Sequence, residues 1–88
     1  MAGKDLTALL KKYGERVQKR GKTMSHIARD SWLDESYVRR LLNGERSNPS
    51  RDVLILLCCW GLGLSVEEFD EVLQAADYKP LVVPVEYR

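Results

Sequence analysis

The sequence predicts an all-α fold, a compact five-helix bundle followed by an extended C-terminal tail. Apolar residues recur at helical spacing in successive segments of the 88-residue chain, and helix-capping residues or glycines separate these segments. Residues 79–88 instead carry two prolines and several β-branched residues, which favour extended backbone. We therefore expect one domain over residues 1–78 and a tail over residues 79–88.

The first helix is expected from about Lys4 to Arg20, because one apolar stripe runs along this segment. The stripe consists of Leu6, Leu9, Leu10, Tyr13 and Val17. The basic residues of the segment lie off the stripe, and Gly14 is also expected away from it. Gly21 ends the helix, since glycine readily adopts the left-handed conformation that closes a helix.

Two short helices are expected next, separated only by a turn at Trp32. Thr23 is a suitable N-cap for a helix that ends near Ser31, and Asp34 is a suitable N-cap for one that ends near Asn43. The residues that these helices are expected to bury are Ile27, Ala28, Val38, Leu41 and Leu42.

The fourth helix is expected from about Arg51 to Trp60, with Ser50 as its cap. It is apolar nearly all round, so we expect it to be the central helix. Ser65–Glu68 has the pattern of a capping box and opens a fifth helix. The apolar face of this helix is expected to consist of Phe69, Val72, Leu73 and Ala76. The acidic residues of its first turns are expected to be solvated, and these are Glu67, Glu68, Asp70 and Glu71.

The charge of the chain is unevenly distributed, although its formal net value is only +1. Residues 1–51 hold 12 Lys/Arg and 6 Asp/Glu, a net charge of +6. Residues 52–88 hold 2 Lys/Arg and 7 Asp/Glu, a net charge of −5. A basic half beside an acidic half indicates a protein with one face turned to a polyanion, and ordinary solvated helix faces explain the same pattern.

No catalytic centre, cofactor, metal site or small-molecule substrate is expected. Cys58 and Cys59 are adjacent, which is not the spacing of metal ligands or of a disulfide framework. His26 is the only histidine and is expected on the exposed side of its helix. The longest apolar run, Val53–Trp60, is too short to span a bilayer, and the N-terminus lacks a secretory signal. We therefore expect a cytoplasmic protein.

The two short helices give the main indication of function in this sequence. Helices joined by so tight a turn must cross steeply, which requires a small residue at their contact, and Ala28 provides it. This is the packing of a helix-turn-helix unit. It leaves the outer face of the second helix free, and this face carries Glu35, Ser36, Arg39, Arg40 and Asn43. A helix with such side chains fits the major groove of DNA.

The stretch from Thr23 to Gly44, TMSHIARDSWLDESYVRRLLNG, resembles the lambda-repressor-like, Cro/Xre class of helix-turn-helix domains without a gap. The similarity continues in Asn48-Pro49-Ser50 and in Leu64–Phe69, and it covers roughly residues 5 to 77. It implies a transcriptional regulator that binds double-stranded DNA sequence-specifically. It also implies that the second helix lies across the DNA backbone and the third in the major groove.

The same resemblance implies a role for individual residues. The base-facing positions are Glu35, Ser36 and Arg39. Arg39 would pair with guanine O6 and N7, and Glu35 would accept from cytosine N4. The positions expected to contact the DNA backbone are Lys22, Thr23, Arg40, Asn43 and Arg46. Backbone contacts set affinity and register, whereas base contacts set sequence preference.

The chain departs from the family pattern at several positions. Met24 stands where a glutamine commonly opens the second helix, and Trp32 stands where the turn usually carries glycine. Asp34 and Glu35 add negative charge at the end of the helix that would enter the groove. Asp34 is expected to cap that helix, whereas for Glu35 a groove contact and a solvated position both remain open.

The tail and the partner of the chain allow more than one interpretation. Lys79-Pro80 is expected to end the fifth helix. The apolar tail residues Leu81, Val82, Val83 and Val85 are expected to form a homodimer contact, or to fold back on their own subunit, or to be disordered.

The alternative function is a protein–protein interaction module on the same fold, for example a partner-binding regulatory or antitoxin-like protein.

Overall fold

The computed structural model describes residues 2–46 and 48–81, with side chains from residue 6 onward, and this part of the chain is all-helical. The helices in chain order are α1 (Ala2–Lys19), α2 (Met24–Ser31), α3 (Glu35–Asn43), α4 (Arg51–Ile55) and α5 (Val66–Ala75). A π-helical segment, Leu56–Gly61, continues α4 directly. The predicted compact five-helix fold is therefore confirmed.

One hydrophobic core joins the helices. α1 packs against α3 and α5, and α2 packs against α3 and the π-helical segment. The side chains with no exposed surface are Ile27, Val38, Leu54, Leu57, Cys58, Val72 and Leu73, together with the hydroxyl residue Ser31. Almost all of them were expected from the apolar periodicity, because residues three and four apart share one side of a helix.

α1 buries the predicted stripe, since Leu6, Leu10, Tyr13 and Val17 are all buried. The prediction for Gly14 is wrong, because this residue is buried against α3. A Cβ atom on Gly14 would lie 3.2 Å from Leu42 Cδ1. The reason is its register, since position 14 follows position 10 by four residues and shares its side of the helix.

Both short helices begin at the predicted caps. Thr23 Oγ1 accepts a hydrogen bond from the His26 N–H at 3.2 Å, and Asp34 Oδ2 accepts one from the Tyr37 N–H at 3.2 Å. α2 ends at Ser31 and is followed by its C-cap Trp32, whose φ of 60° and ψ of 30° lie in the left-handed region. A tryptophan therefore adopts the conformation that glycine commonly supplies at this point of a turn.

The fourth helix begins at its predicted cap but changes its winding halfway. The prediction of one α-helix from Arg51 to Trp60 is wrong beyond Ile55, because Leu56–Gly61 is π-helical. The Leu62 N–H donates to the Leu57 carbonyl oxygen, five residues earlier, at 2.8 Å. The segment is also less buried than expected, since Trp60 is exposed. Apolar periodicity does not specify this hydrogen-bond register, which accompanies close packing of Gly61 on α2.

α5 begins with the predicted capping box, in which Ser65 and Glu68 bond to each other's backbone N–H at 3.2 and 3.1 Å. The expectation that its acidic residues are merely solvated is wrong for Glu68, Asp70 and Glu71. Glu68 also accepts hydrogen bonds of 2.6 and 3.0 Å from Arg16 of α1. Glu71 accepts one of 2.8 Å from the Tyr13 hydroxyl. These contacts tie α5 to α1.

Residues 76–81, the described part of the chain after α5, are anchored to the bundle. α5 ends at Ala75, earlier than the predicted stop at Lys79-Pro80, because Asp77 has a left-handed φ of 66°. The Tyr78 hydroxyl then donates to the Pro49 carbonyl oxygen at 2.9 Å. The Leu81 N–H donates to Asp70 Oδ1 at 2.7 Å. The predicted dimer residues Val82, Val83 and Val85 lie outside the described residues.

Candidate nucleic-acid interface

α3 has one buried side and one exposed side. Val38, Leu41 and Leu42 are 0, 1 and 4% exposed and face the core. The exposed residues of α3 are Ser36, Arg39, Arg40 and Asn43, and Glu35 is half-buried. Four of the five residues on the predicted free side of α3 are therefore exposed, whereas Glu35 is partly covered.

α2 and the turn hold α3 in place. Ile27 and Ala28 of α2 are buried in the core that α2 shares with α3. The Leu33 N–H donates to the Ala28 carbonyl oxygen at 3.1 Å, which closes the turn. The buried Ser31 hydroxyl is satisfied, since it donates to the Ile27 carbonyl oxygen at 2.6 Å. The exposed side of α3 thus rests on a packed and hydrogen-bonded support.

Two of the predicted base-contacting residues bond to each other. Arg39 Nη2 donates to Glu35 Oε2 at 2.7 Å, and the Ser25 hydroxyl donates to Glu35 Oε1 at 2.7 Å. Both hydrogen bonds lower the pKa of Glu35, and the one from Ser25 has the larger effect. The carboxylate is therefore charged near neutral pH. The side chains of the pair are 41 and 51% exposed, and such surface ion pairs add little to stability.

Arg40, Asn43 and Arg46 continue the exposed polar surface beyond the end of α3. The Arg46 guanidinium lies over the Tyr37 ring, 5.5 Å from its centroid. The Glu45 N–H donates to the Arg40 carbonyl oxygen at 2.8 Å and fixes the start of the following loop. Two guanidinium groups and one amide are thus exposed at intervals of three residues along the end of α3 and the loop that follows.

Lys22 and Thr23 have partners within the chain. The Lys22 ammonium donates to the Gly61 carbonyl oxygen and lies 2.9 Å from Asp30 Oδ2. The hydrogen bond from Lys22 lowers the pKa of Asp30. Thr23 Oγ1 caps α2 and lies 3.1 Å from His26 Nδ1. Lys22 therefore secures the end of the π-helical segment, and its contact with DNA stays a prediction.

Three exposed residues were not among the predicted site residues. Ser25 binds Glu35 across the turn, a contact between residues ten apart for which the sequence carries no signal. Trp60 is 65% exposed, although its apolar neighbours predicted burial. Trp32 is 85% exposed, and its departure from the glycine expected in the turn was the available signal.

Within residues 2–46 and 48–81, no three His, Cys, Asp or Glu side chains are grouped so that they could hold a metal ion. Burial raises the pKa of the Cys58 thiol, whereas Cys59 is exposed. In the part of the chain that the structure describes, no helix is both long enough and apolar enough to cross a membrane.

Comparison of the chain with models of protein families, with curated proteins and with solved structures found no match. The candidate interface is therefore defined by its own geometry. It consists of the exposed side of α3, from Glu35 to Asn43, and of Arg46 in the loop that follows.

Proposed function

We propose that this chain is a cytoplasmic transcriptional regulator of the Cro/Xre helix-turn-helix type that binds double-stranded DNA sequence-specifically, as a homodimer and without catalysis. One observation carries the proposal. α3 buries Val38, Leu41 and Leu42 while exposing Arg39, Arg40 and Asn43. An α-helix fits the major groove, so a helix with a free, basic and polar side can bring hydrogen-bonding groups to base edges there.

The exposed residues suit two kinds of DNA contact. Arg39 lies in the middle of α3, and its forked guanidinium matches guanine O6 and N7. Ser36, one turn nearer to the helix N-terminus, can donate to or accept from a base edge. Arg40 and Arg46 supply positive charge for phosphates, which fixes affinity and register. A dimer would place two such helices in grooves about one turn of DNA apart.

The distribution of charge supports this orientation. The half of the chain that contains α1 to α3 carries the net positive charge, and the half that contains α5 carries the net negative charge. Two acidic residues of α5, Glu68 and Glu71, are bonded to α1. DNA would be attracted to the α3 side and repelled by the exposed acidic residues of α5.

Fluorescence anisotropy with labelled duplexes tests the proposal. A duplex selected from a random pool and a random duplex are titrated with the wild type, R39A and R46A at several salt concentrations. R39A should lose about 1–3 kcal/mol on the selected duplex and relax base preference. R46A should weaken binding to both duplexes alike and flatten the salt dependence by about one unit of slope.

Lys12 provides the matched control. K12A removes one exposed positive charge from the side of α1 opposite Gly14, which contacts α3. It should leave binding to both duplexes nearly unchanged. Equal binding by the wild type, R39A and R46A would contradict the proposed docking, and the absence of any salt-dependent binding would contradict the function itself.

The second candidate is a protein-interaction module on the same fold. Two observations favour it, the internal pairing of Arg39 with Glu35 and the exposure of Trp32 and Trp60, which are 85 and 65% exposed. Exposed aromatic residues are typical of protein interfaces. The same titration separates the two candidates, because a protein-binding module has no salt-dependent affinity for random duplex DNA.

A further inference from the structure

Glu35 is held from two helices at the N-terminal end of α3. Its Oε1 accepts from the Ser25 hydroxyl of α2, and its Oε2 accepts from Arg39 one turn later in α3, each at 2.7 Å. Both oxygens of the carboxylate are therefore engaged. The guanidinium of Arg39 is drawn back along the helix toward its N-terminus, onto a fixed negative charge.

The fold does not depend on this pair. Asp34 already caps α3, and the turn before it is closed by the backbone hydrogen bond from Leu33 to Ala28. The Glu35 and Arg39 side chains are 41 and 51% exposed, so solvent screens their attraction and the bond is easily exchanged for another. The main consequence of the pair is electrostatic, because it offsets the charge of Arg39 at the surface.

We propose that Glu35 is a specificity-determining residue that withholds Arg39 from DNA phosphates and releases it to guanine. This inference rests on the proposed function. A phosphate can attract Arg39 only by bringing its own negative charge close to Glu35. Guanine offers two neutral acceptors, O6 and N7, and a neighbouring cytosine offers its N4 amino group to the carboxylate. Only such a base pattern replaces the hydrogen bonds that Arg39 and Glu35 give up to each other.

Arg46 provides the contrast within the same surface. Its guanidinium lies on the ring of Tyr37, and this contact carries no negative charge that could oppose a phosphate. Arg46 is therefore suited to bind any sequence, whereas Arg39 is restrained until a suitable base edge is present. The restraint lowers affinity for random DNA more than affinity for the correct site, which raises the specificity ratio.

The test compares the dissociation constants of a random duplex and of a duplex selected by the wild type. E35Q should bind the random duplex about three- to tenfold more tightly, with a salt dependence steeper by about one unit of slope. Its preference for the selected duplex should fall. S25A, which removes the other hydrogen bond to Glu35, should change both values in the same direction by less.

Two further variants separate release of Arg39 from a general change in charge. E45Q removes the same charge from an exposed position just beyond α3 and should have little effect. E35Q/R39A should lose the gain of E35Q, because the gain requires Arg39. If E35Q and E45Q behave alike, or if E35Q/R39A keeps the gain, the inference is overturned while DNA binding by the wild type stands. If no variant shows salt-dependent binding to either duplex, the proposed function fails and the inference fails with it.

Discussion

Gly61 of the π-helical segment lies directly against Ser31 of α2. A Cβ atom on residue 61 would lie 2.0 Å from Ser31 Oγ and 3.1 Å from the Ile27 carbonyl oxygen. Ser31 has no exposed surface, and its hydroxyl is bonded to that same carbonyl oxygen. This close approach seats the π-helical segment on α2, and α2 in turn supports α3, so the contact positions the candidate interface.

Replacing Gly61 by alanine should destabilise the protein by about 3 kcal/mol or more, because the added methyl group overlaps a buried side chain and backbone. Urea unfolding followed by circular dichroism measures the change. The double variant S31A/G61A should recover part of the loss, because it removes the atom that lies nearest to the new methyl group.

G14A is the matched control for this substitution. Its Cβ would meet the flexible end of Leu42 at 3.2 Å, inside a helix where alanine is the favoured residue. It should change stability by less than about 1 kcal/mol. Equal destabilisation by G61A and G14A would show that Gly61 is not packed against Ser31 as described.

Trp32 holds a left-handed conformation that costs a residue with a Cβ about 1–2 kcal/mol. Because this side chain is 85% exposed, little packing offsets that cost. W32G should therefore be more stable than W32A by about 1 kcal/mol, and the comparison with alanine removes the effect of losing the indole. Thermal unfolding of the two variants measures the difference. Equal stabilities would mean that residue 32 does not have this conformation in solution.

The ion pair between Arg16 and Glu68 should make stability depend on acidic pH. Hydrogen bonds to Glu68 lower its pKa from 4.5 to about 2. The bond from the Arg16 guanidinium has the larger effect, and the bond from the Ser65 backbone N–H the next largest. A group whose pKa is lower in the folded state contributes stability that is fully present above pH 4.5 and lost as the pH falls toward 2. The unfolding free energy of the wild type should therefore fall across this range, and that of E68Q should fall less.

E67Q is the control for this pH dependence. It removes a carboxylate from the adjacent, exposed position of the same helix turn. Urea unfolding at a series of pH values should give E67Q the same profile as the wild type. A wild-type profile that coincides with that of E68Q would contradict the ion pair.

The tail should contribute to a homodimer. Leu81, the last described residue, is 45% exposed, and the apolar residues Val82, Val83 and Val85 follow it in the sequence. Removal of residues 80–88 should convert the proposed dimer into a monomer, because it would remove the apolar residues that the proposed contact requires. Light scattering measures the molar mass of both proteins, and an unchanged oligomeric state would contradict the role of the tail.

The beginnings of α2, α3, α4 and α5 could be predicted from the sequence because capping is local chemistry. Thr23, Asp34, Ser50 and Ser65 each accept a hydrogen bond from a backbone N–H three residues later, as their residue types and positions predicted. The core could also be predicted, because the apolar periodicity that defines the buried side of a helix is likewise a local property of the sequence. The predicted base-contacting residues Ser36 and Arg39 are exposed on the side of α3 where the pattern placed them.

Features that depend on contacts between distant residues could not be predicted in this way. The π-helical winding accompanies packing between Gly61 and α2. The Lys22 ammonium binds the carbonyl oxygen of Gly61, a contact between residues 39 apart in sequence. The pairing of Glu35 with Arg39 is allowed by their spacing in α3, yet its fixation by Ser25 requires the turn geometry. Charge on a helix face is visible in a sequence, whereas the partner of each charge is set by the fold.

Nuclear magnetic resonance with the isotopically labelled protein and a selected duplex measures most directly whether α3 enters a DNA groove. The largest changes in amide chemical shift should occur from Glu35 to Asn43 and at Arg46, with small changes along α5. Largest changes along α5, or unchanged spectra at low salt with excess duplex, would contradict DNA binding through α3.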